Sequence, residues 1–448
     1  MQFHLLSFEG PDAYATVGGL ASRVNGLTGA LAGLGFETHL WYVGEPEGPG
    51  HELRDGIHYH RWCQWISRYH PGGVYDGEWG KQSDYAGSLP PYLLQEILGP
   101  HLSAGGRAVV MAEEWQTAHA ILHLDFLLRR LGRRRRVELL WNANNTYGFE
   151  RVPWGRLRQA SRVTTVSRYM KQRMQALGVD ALVIPNGLPP DAFEDPDPVA
   201  LRALRARLRD RTVLAKVARW HPDKRWSTAL GTVAELKRLG WRPLLVARGG
   251  GEPYGAEMRA LARQLGLRWS DRALDACGIP QLLAALGGVE DVDVVNLCAH
   301  VAPAPRRLLL RGADAVLANS AHEPFGLVGL EAMAVGGLAC TGCSGEDYVL
   351  PGQNALMLET DDPAEFLHLY RALLAKPGAE PALRRAARWT AKRFAWREVL
   401  GRIFLPRLDG SAPATPLWPL KIAPGPDHAA RRALRAHPAL PLRHAGAG

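Results

Sequence analysis

Cysteine is scarce in this chain: five residues, Cys63, Cys277, Cys298, Cys340 and Cys343, odd in number and scattered over 448 positions. That scatter argues against a disulfide framework. Cys340 and Cys343 have the spacing of half a zinc site, but no second Cys or His pair stands near them in sequence, so a metal is not expected. No run of eighteen apolar residues occurs, which excludes an ordinary membrane-spanning helix. Met1 to Gly10 holds Glu9 and no basic region, so a buried first strand is expected there rather than a signal peptide, with residence in the cytoplasm. No recognisable nucleic-acid module accompanies the formal charge of +10.

What is present is a globular composition, 46% hydrophobic and 22% charged, in a chain long enough for two cores. Strand-like and helix-like runs alternate in both halves, which predicts parallel sheets. Gln2 to Ser7 reads as a strand, Leu20, Val24, Leu27, Leu31 and Leu34 mark one helical face, Gly35 stops it, and Glu37 to Val43 is the next strand. Pro185 to Pro198, with five prolines, reads as a linker. The expected division is an N-terminal Rossmann-like domain over 1–188, a C-terminal one over 199–385 and a helical segment over 386–408. A weakly basic tail over 409–448, with seven prolines and no clear periodicity, is expected to lack order.

Most of the functional information lies in the run Glu323-Pro324-Phe325-Gly326-Leu327-Val328-Gly329-Leu330-Glu331. A helix opening near Gly326 would turn the backbone N–H groups of Phe325, Gly326 and Leu327 outward, an arrangement that attracts phosphate. Glu323 would then stand beside a sugar, and Glu331, two turns on, could take hydrogen bonds from ribose hydroxyls. About a hundred residues earlier, Arg219-Trp220-His221-Pro222-Asp223-Lys224 follows the strand-like run Val213 to Ala218 and precedes a helix from about Trp226. Its two cations are suited to the charge that builds on a departing diphosphate.

The first run resembles the E-x7-E signature of retaining glycosyltransferases with the GT-B fold, family 4 type. The second resembles that family's Arg-x4-Lys element. The resemblance implies two doubly wound domains facing a cleft, a nucleotide-diphosphate sugar as donor, no required metal or other cofactor, and Glu323, Arg219 and Lys224 as catalytic residues. It further implies donor contacts from Gly326, Leu327 and Phe325, and a C-terminal helix returning to the first domain. Gly18-Gly19-Leu20 is similar to the glycine-rich donor loop of glycogen and starch synthases, although Thr16 stands where those enzymes carry lysine. Glu113-Glu114-Trp115-Gln116-Thr117-Ala118 resembles their Asp-Trp-His-Thr-Ala run, with Glu114 for Asp. Asn144 and Asn145 stand where the family often has His-Asn, as sugar contacts or as plain turn residues.

Two features leave alternatives open. Arg129 to Arg136 holds six arginines in eight positions, and Leu201 to Arg211 is also Arg-rich. They offer either peripheral docking to anionic lipid at the inner membrane face or, the plainer reading, solvated helix faces. Ile57 to Tyr92 concentrates eight aromatics without helical period, among them Trp62 and Trp65. That stretch is either an acceptor-binding loop or a small core of its own. The expected function is transfer of a sugar to a glycan, a lipid-linked sugar or a small molecule. A nucleotide-sugar 2-epimerase and a non-catalytic sugar-binding protein are the alternatives, and no cofactor-lysine context favours a phosphorylase.

Overall fold

The computed structural model describes residues 1–274 and 276–408. In the first half, eight strands form one sheet: β1 (Gln2–Leu6), β2 (Glu37–Val43), β3 (His51–Arg54), β4 (Ile57–Trp62), β5 (Ala108–Glu113), β6 (Val137–Ala143), β7 (Arg162–Thr165) and β8 (Leu182–Val183). Their order is β3-β4-β2-β1-β5-β6-β7-β8. All pairs are parallel except β3 with β4. β1 and β5 are buried along their whole length, as strands covered by helices on both faces must be. The helix α1 (Gly19–Gly33) supplies one cover through Leu20, Val24, Leu27 and Leu31.

The second half repeats the plan with β9 (Thr212–Val217), β10 (Pro243–Arg248), β11 (Trp269–Ala273), β12 (Val294–Cys298), β13 (Ala315–Ala318), β14 (Ala339–Thr341) and β15 (Leu356–Met357). The order is β11-β12-β10-β9-β13-β14-β15, all parallel. Strand order reverses between β1 and β5 in one sheet and between β9 and β13 in the other. Outside the carboxyl ends of such strands the loops diverge and leave a crevice. Two Rossmann-like sheets of this kind make the GT-B fold.

The chain passes between the sheets twice, and the two passages pair. Leu188 N donates to Phe394 O (2.7 Å) and Trp396 N donates to Leu188 O (3.0 Å). Beyond that point Trp396 lies against α1, so close to Gly26 that a Cβ there would stand 2.2 Å from the indole nitrogen. Phe404 packs at 6.2 Å from Phe3 of β1. The tail expected over 409–448 lies outside the described residues.

One reading of the sequence changes here, and one left open is narrowed. Ile57 to Tyr92 is not an irregular loop but β4 followed by the helices α2 (Gln64–Ser67) and α3 (Glu78–Tyr92). The helical period was hidden because Pro90 and Pro91 occupy the last turn of α3, which runs on into a π-helical turn over Leu93–Leu98. The arginine run has mostly local duties. Arg129 and Arg134 pair with Asp125, and Arg133, Arg134 and Arg136 donate to the carbonyls of Gly99, Val137, Ala160 and Leu102. Side chains tied to their own fold in this way favour the plainer reading. Among the described residues no helix is long and apolar enough to cross a membrane.

Candidate active site

At the switch point of the second sheet, the loop after β9 carries Arg219 and Lys224, and the loop after β13 carries Glu323. Adjacency of β9 and β13 brings them together across 99 residues of sequence: Lys224 Nζ stands 2.7 Å from Glu323 Oε2. Both side chains are about one-fifth exposed, open enough for a ligand to reach. Below them Ala321 N donates to Asp223 O (2.8 Å), and Lys216 Nζ donates to Leu317 O and Asn319 Oδ1, each at 3.0 Å. Burial lowers the Lys216 ammonium to about 7, with the cations of Lys224 and Arg225 adding to the effect. The Arg219 guanidinium is exposed, while its carbonyl accepts from Trp226 Nε1 at 2.8 Å.

Glu323 is held by the loop that follows β14. Its amide donates to Ser344 Oγ (2.8 Å) and its carbonyl accepts from Gly345 N (2.8 Å). A Cβ on Gly345 would lie 2.3 Å from that carbonyl oxygen, so only glycine permits the approach. Gly326 takes φ of 82° and caps the helix Leu327–Ala334. With Leu330 N donating to Gly326 O (3.4 Å), the amides of Gly326, Leu327, Val328 and Gly329 have no partner within the helix. Phe325 lies ahead of it, its ring buried 5.7 Å from Tyr348 and 6.1 Å from Phe394. Glu331 is inside the helix and pairs with Arg306, a residue that sequence reading passed over. Burial raises the Glu331 carboxyl and Arg306 opposes that rise.

The first sheet contributes the facing side. Glu9, after β1, accepts Gly18 N (3.1 Å) and Ala21 N (2.9 Å) at the start of α1, while its other oxygen accepts from Tyr75 OH (2.6 Å). The Gly18 amide is thus already engaged, although nothing lies within 4 Å of a Cβ built there. A Cβ on Gly19 would lie 3.9 Å from Leu327 Cδ1, so the two helix starts face each other. Arg168 and Asp347 join the halves nearby through Nε–Oδ1 at 2.9 Å and N–Oδ2 at 2.8 Å.

After β5, Glu114 is buried with φ of 68° and accepts Asn144 N at 2.7 Å. Burial pushes its carboxyl up to about 8. Glu113 is the hub that sequence reading missed. Its carboxylate takes Arg23 Nε (3.0 Å), Asn142 Nδ2 (2.8 Å) and Asn144 Nδ2 (2.8 Å), and Arg23 reaches on to Asn186 Oδ1 (2.8 Å). Asn145 makes a turn, its Oδ1 accepting Tyr147 N at 2.7 Å. Trp62 and Trp65 part company. Trp62 is packed between Trp41 and Tyr92, with Nε1 donating to Ser88 Oγ at 2.8 Å. Trp65 is 62% exposed and lines an open cavity of about 730 Å³ with Tyr69, His70 and Asp84.

A further acid was invisible in the sequence. Glu346 is 6% exposed beside Gly326, and a Cβ on that glycine would touch Glu346 Cγ at 2.7 Å. Ser344 N donates to Glu346 Oε2 (3.0 Å), whereas Oε1 has no hydrogen-bond partner among the described residues. Burial, with Glu323 adding to it, pushes the Glu346 carboxyl up to about 8. No spacing pattern marks this residue; only the folding back of the loop after β14 places it.

Residues 274–376 match the family model described as glycosyl transferases group 1, a span containing Glu323, Gly326, Glu331, Glu346 and Arg306. The chain is related to the group 1 glycosyltransferases. A D-inositol 3-phosphate glycosyltransferase of Xylanimonas cellulosilytica is 31% identical over 256 residues, 53% of this chain and 52% of that protein. The chain thus spans about half the length of that relative. A glycogen synthase of Thermus thermophilus is 26% identical over 87% of this chain and 97% of that enzyme. The sucrose-phosphate synthase of Thermosynechococcus elongatus superposes with a TM-score of 0.63 over 92% of this chain and 100% of that structure, at 17% identity, a likeness of fold. In group 1 terms, the matched span carries the E-x7-E run, while the Arg219 to Lys224 loop lies ahead of it.

Proposed function

We propose that this protein is a retaining glycosyltransferase that moves a sugar from a nucleotide-diphosphate donor to a hydroxyl of a carbohydrate or glycolipid acceptor. The observation that carries this reading is the Lys224–Glu323 contact at the β9/β13 crevice, beside the start of the Leu327–Ala334 helix. A diphosphate placed there would meet Lys224, Arg219 and the helix amides, which stabilise charge as it grows on the leaving oxygens. Glu323 would hold hydroxyls of the transferred sugar and offset positive charge on its ring without attacking covalently. Glu331, oriented by Arg306, would take the ribose hydroxyls. No step needs a metal, because Lys224, Arg219 and the helix start supply the charge that the leaving group requires.

In this reading residues 1–188 form the acceptor side and 199–385 the donor side, with 386–408 returning to the first domain. Gly18 and Gly19 approach the donor from across the cleft, and Glu114, Asn144, Asn145 and Trp65 shape the acceptor side. Trp62 acts behind them as packing. The protein needs no membrane anchor for this chemistry, and cytoplasmic residence suits a soluble donor. The test is a thermal-shift screen of nucleotide sugars, followed by an assay of diphosphate release and of the anomeric configuration of the product. Release with retention supports the reading. Conversion of the donor without diphosphate release would make the protein an epimerase, and binding without turnover a sugar-binding protein.

A further inference from the structure

Away from the cleft, one face of the first sheet carries a row of imidazoles that sugar transfer does not use, buried at His4, His39 and His60 and exposed at His51 on the edge strand. Register places His4 of β1 opposite His39 of β2, and His39 opposite His58 of β4. β3 adds His51, opposite His60 of β4. The rings stack across the strands, His4 to His39 at 4.5 Å and His39 to His58 at 4.5 Å, with His51 4.7 Å from His60. Side chains two residues apart on a strand share a face, so Glu37 flanks His39 and His60 flanks His58. Glu37, His39 and His58 each bring a ligand atom within 4.8 Å of the other two. Atoms bound to one ion at ~2 Å lie at most ~4 Å apart, so small side-chain rotations close this set.

The surrounding hydrogen bonds prepare the same three groups. His39 Nδ1 stands 3.0 Å from His60 Nε2, and His58 Nδ1 stands 3.1 Å from His51 Nε2. When each Nδ1 carries the proton and donates outward, the Nε2 lone pairs of His39 and His58 are left free. That of His39 then faces the Glu37 carboxylate at 3.4 Å, two electron-rich atoms that a cation between them would reconcile. Gln2 Nε2 donates to the same carboxylate at 2.8 Å and fixes its position. An imidazole with one ring nitrogen carrying the proton and the other free is the ligating form.

We propose that Glu37, His39 and His58 bind a transition-metal cation of the Zn²⁺ type, with His60, His51 and Gln2 orienting the ligands. Two imidazoles and one carboxylate suit Zn²⁺ and its neighbours rather than Mg²⁺ or Ca²⁺. Glu37 opens β2, about 20 Å of strand from the end that faces the cleft. The ion therefore acts as a clamp between β2 and β4, the strand that carries the antiparallel edge β3, and takes no part in sugar transfer.

Full-length protein without an affinity tag, stripped with a chelator, is titrated with Zn²⁺ by calorimetry and with Co²⁺ by visible absorption. One equivalent should bind, with the d–d bands of Co²⁺ in a nitrogen–oxygen site and a rise in melting temperature. Glu37→Gln, at an exposed position where Gln2 still has a partner, and His58→Ala should each abolish that equivalent. His60→Gln should weaken it about 10- to 100-fold, the scale for a partner that orients a ligating histidine. Circular dichroism of each variant shows whether the fold is kept. No saturable uptake, or uptake unchanged in Glu37→Gln with a native spectrum, would overturn the proposal.

Discussion

Lys224→Ala removes an ammonium that stands 2.7 Å from Glu323 Oε2, and the structure lets its effect on the fold be separated from its effect on turnover. The two side chains are 20% and 22% exposed, so solvent screens the pair and its share of stability is about 0.2–1 kcal/mol. A loss of that size moves the melting temperature by no more than about 2–4 °C, the scale for a domain of about 150–250 residues. Catalysis has more at stake. Loss of one preorganised charge partner from a developing anion costs about 10²–10³-fold in kcat, or about 2.7–4 kcal/mol. The variant leaves Glu323 without its cation, so an uncompensated carboxylate stands where a diphosphate has to lie. Lys224→Arg keeps the charge but not the compact geometry, and should recover only part of the rate. The assay is release of nucleoside diphosphate at saturating donor, beside a calorimetric melt. A rate within a few-fold of wild type in Lys224→Ala would refute the leaving-group role. An equal collapse of rate and melting temperature would make the pair structural.

Glu331→Ala should weaken binding of the free nucleoside diphosphate, whereas Glu323→Ala should spare that binding and depress transfer; titration calorimetry beside turnover separates them, and equal loss of diphosphate affinity would show the roles to be misassigned. Trp65→Ala should raise the apparent KM for acceptor several-fold and leave acceptor-independent donor hydrolysis unchanged, since a stacked aromatic contributes about 0.5–1.5 kcal/mol. Trp62→Ala should instead lower the melting temperature and both activities, because its ring packs on Trp41 and Tyr92. Burial holds Glu346 protonated up to about pH 8, above its unfolded value, so its contribution to stability is full at low pH and is lost as pH rises toward 8. Glu346→Gln should flatten that part of the melting-temperature profile; an unchanged slope from pH 5 to 8 would show that Glu346 is ionised in the fold.

Strand and helix alternation, the loops bearing Arg219, Lys224 and Glu323, and the helix bearing Glu331 were legible in the chain itself, since each rests on local causes. Short continuous apolar runs such as that of β5 suit strands covered on both sides, and Gly326 supplies the left-handed turn that starts the Leu327–Ala334 helix. The aromatic stretch was not legible, because a strand covered on both faces and a helix closing on Pro90 and Pro91 blur both periods. Only the tertiary structure decided which loops meet. The reversal of order between β9 and β13 brings Lys224 to Glu323, and the packing of neighbouring helices sets Arg306 on Glu331. The loop after β14 folds Glu346 beneath the same site, and Glu113 becomes a hub because Arg23, Asn142 and Asn144 converge on one carboxylate. The physical reason is that a loop's conformation follows from its own residues, whereas partners far apart in sequence are chosen by strand order and burial.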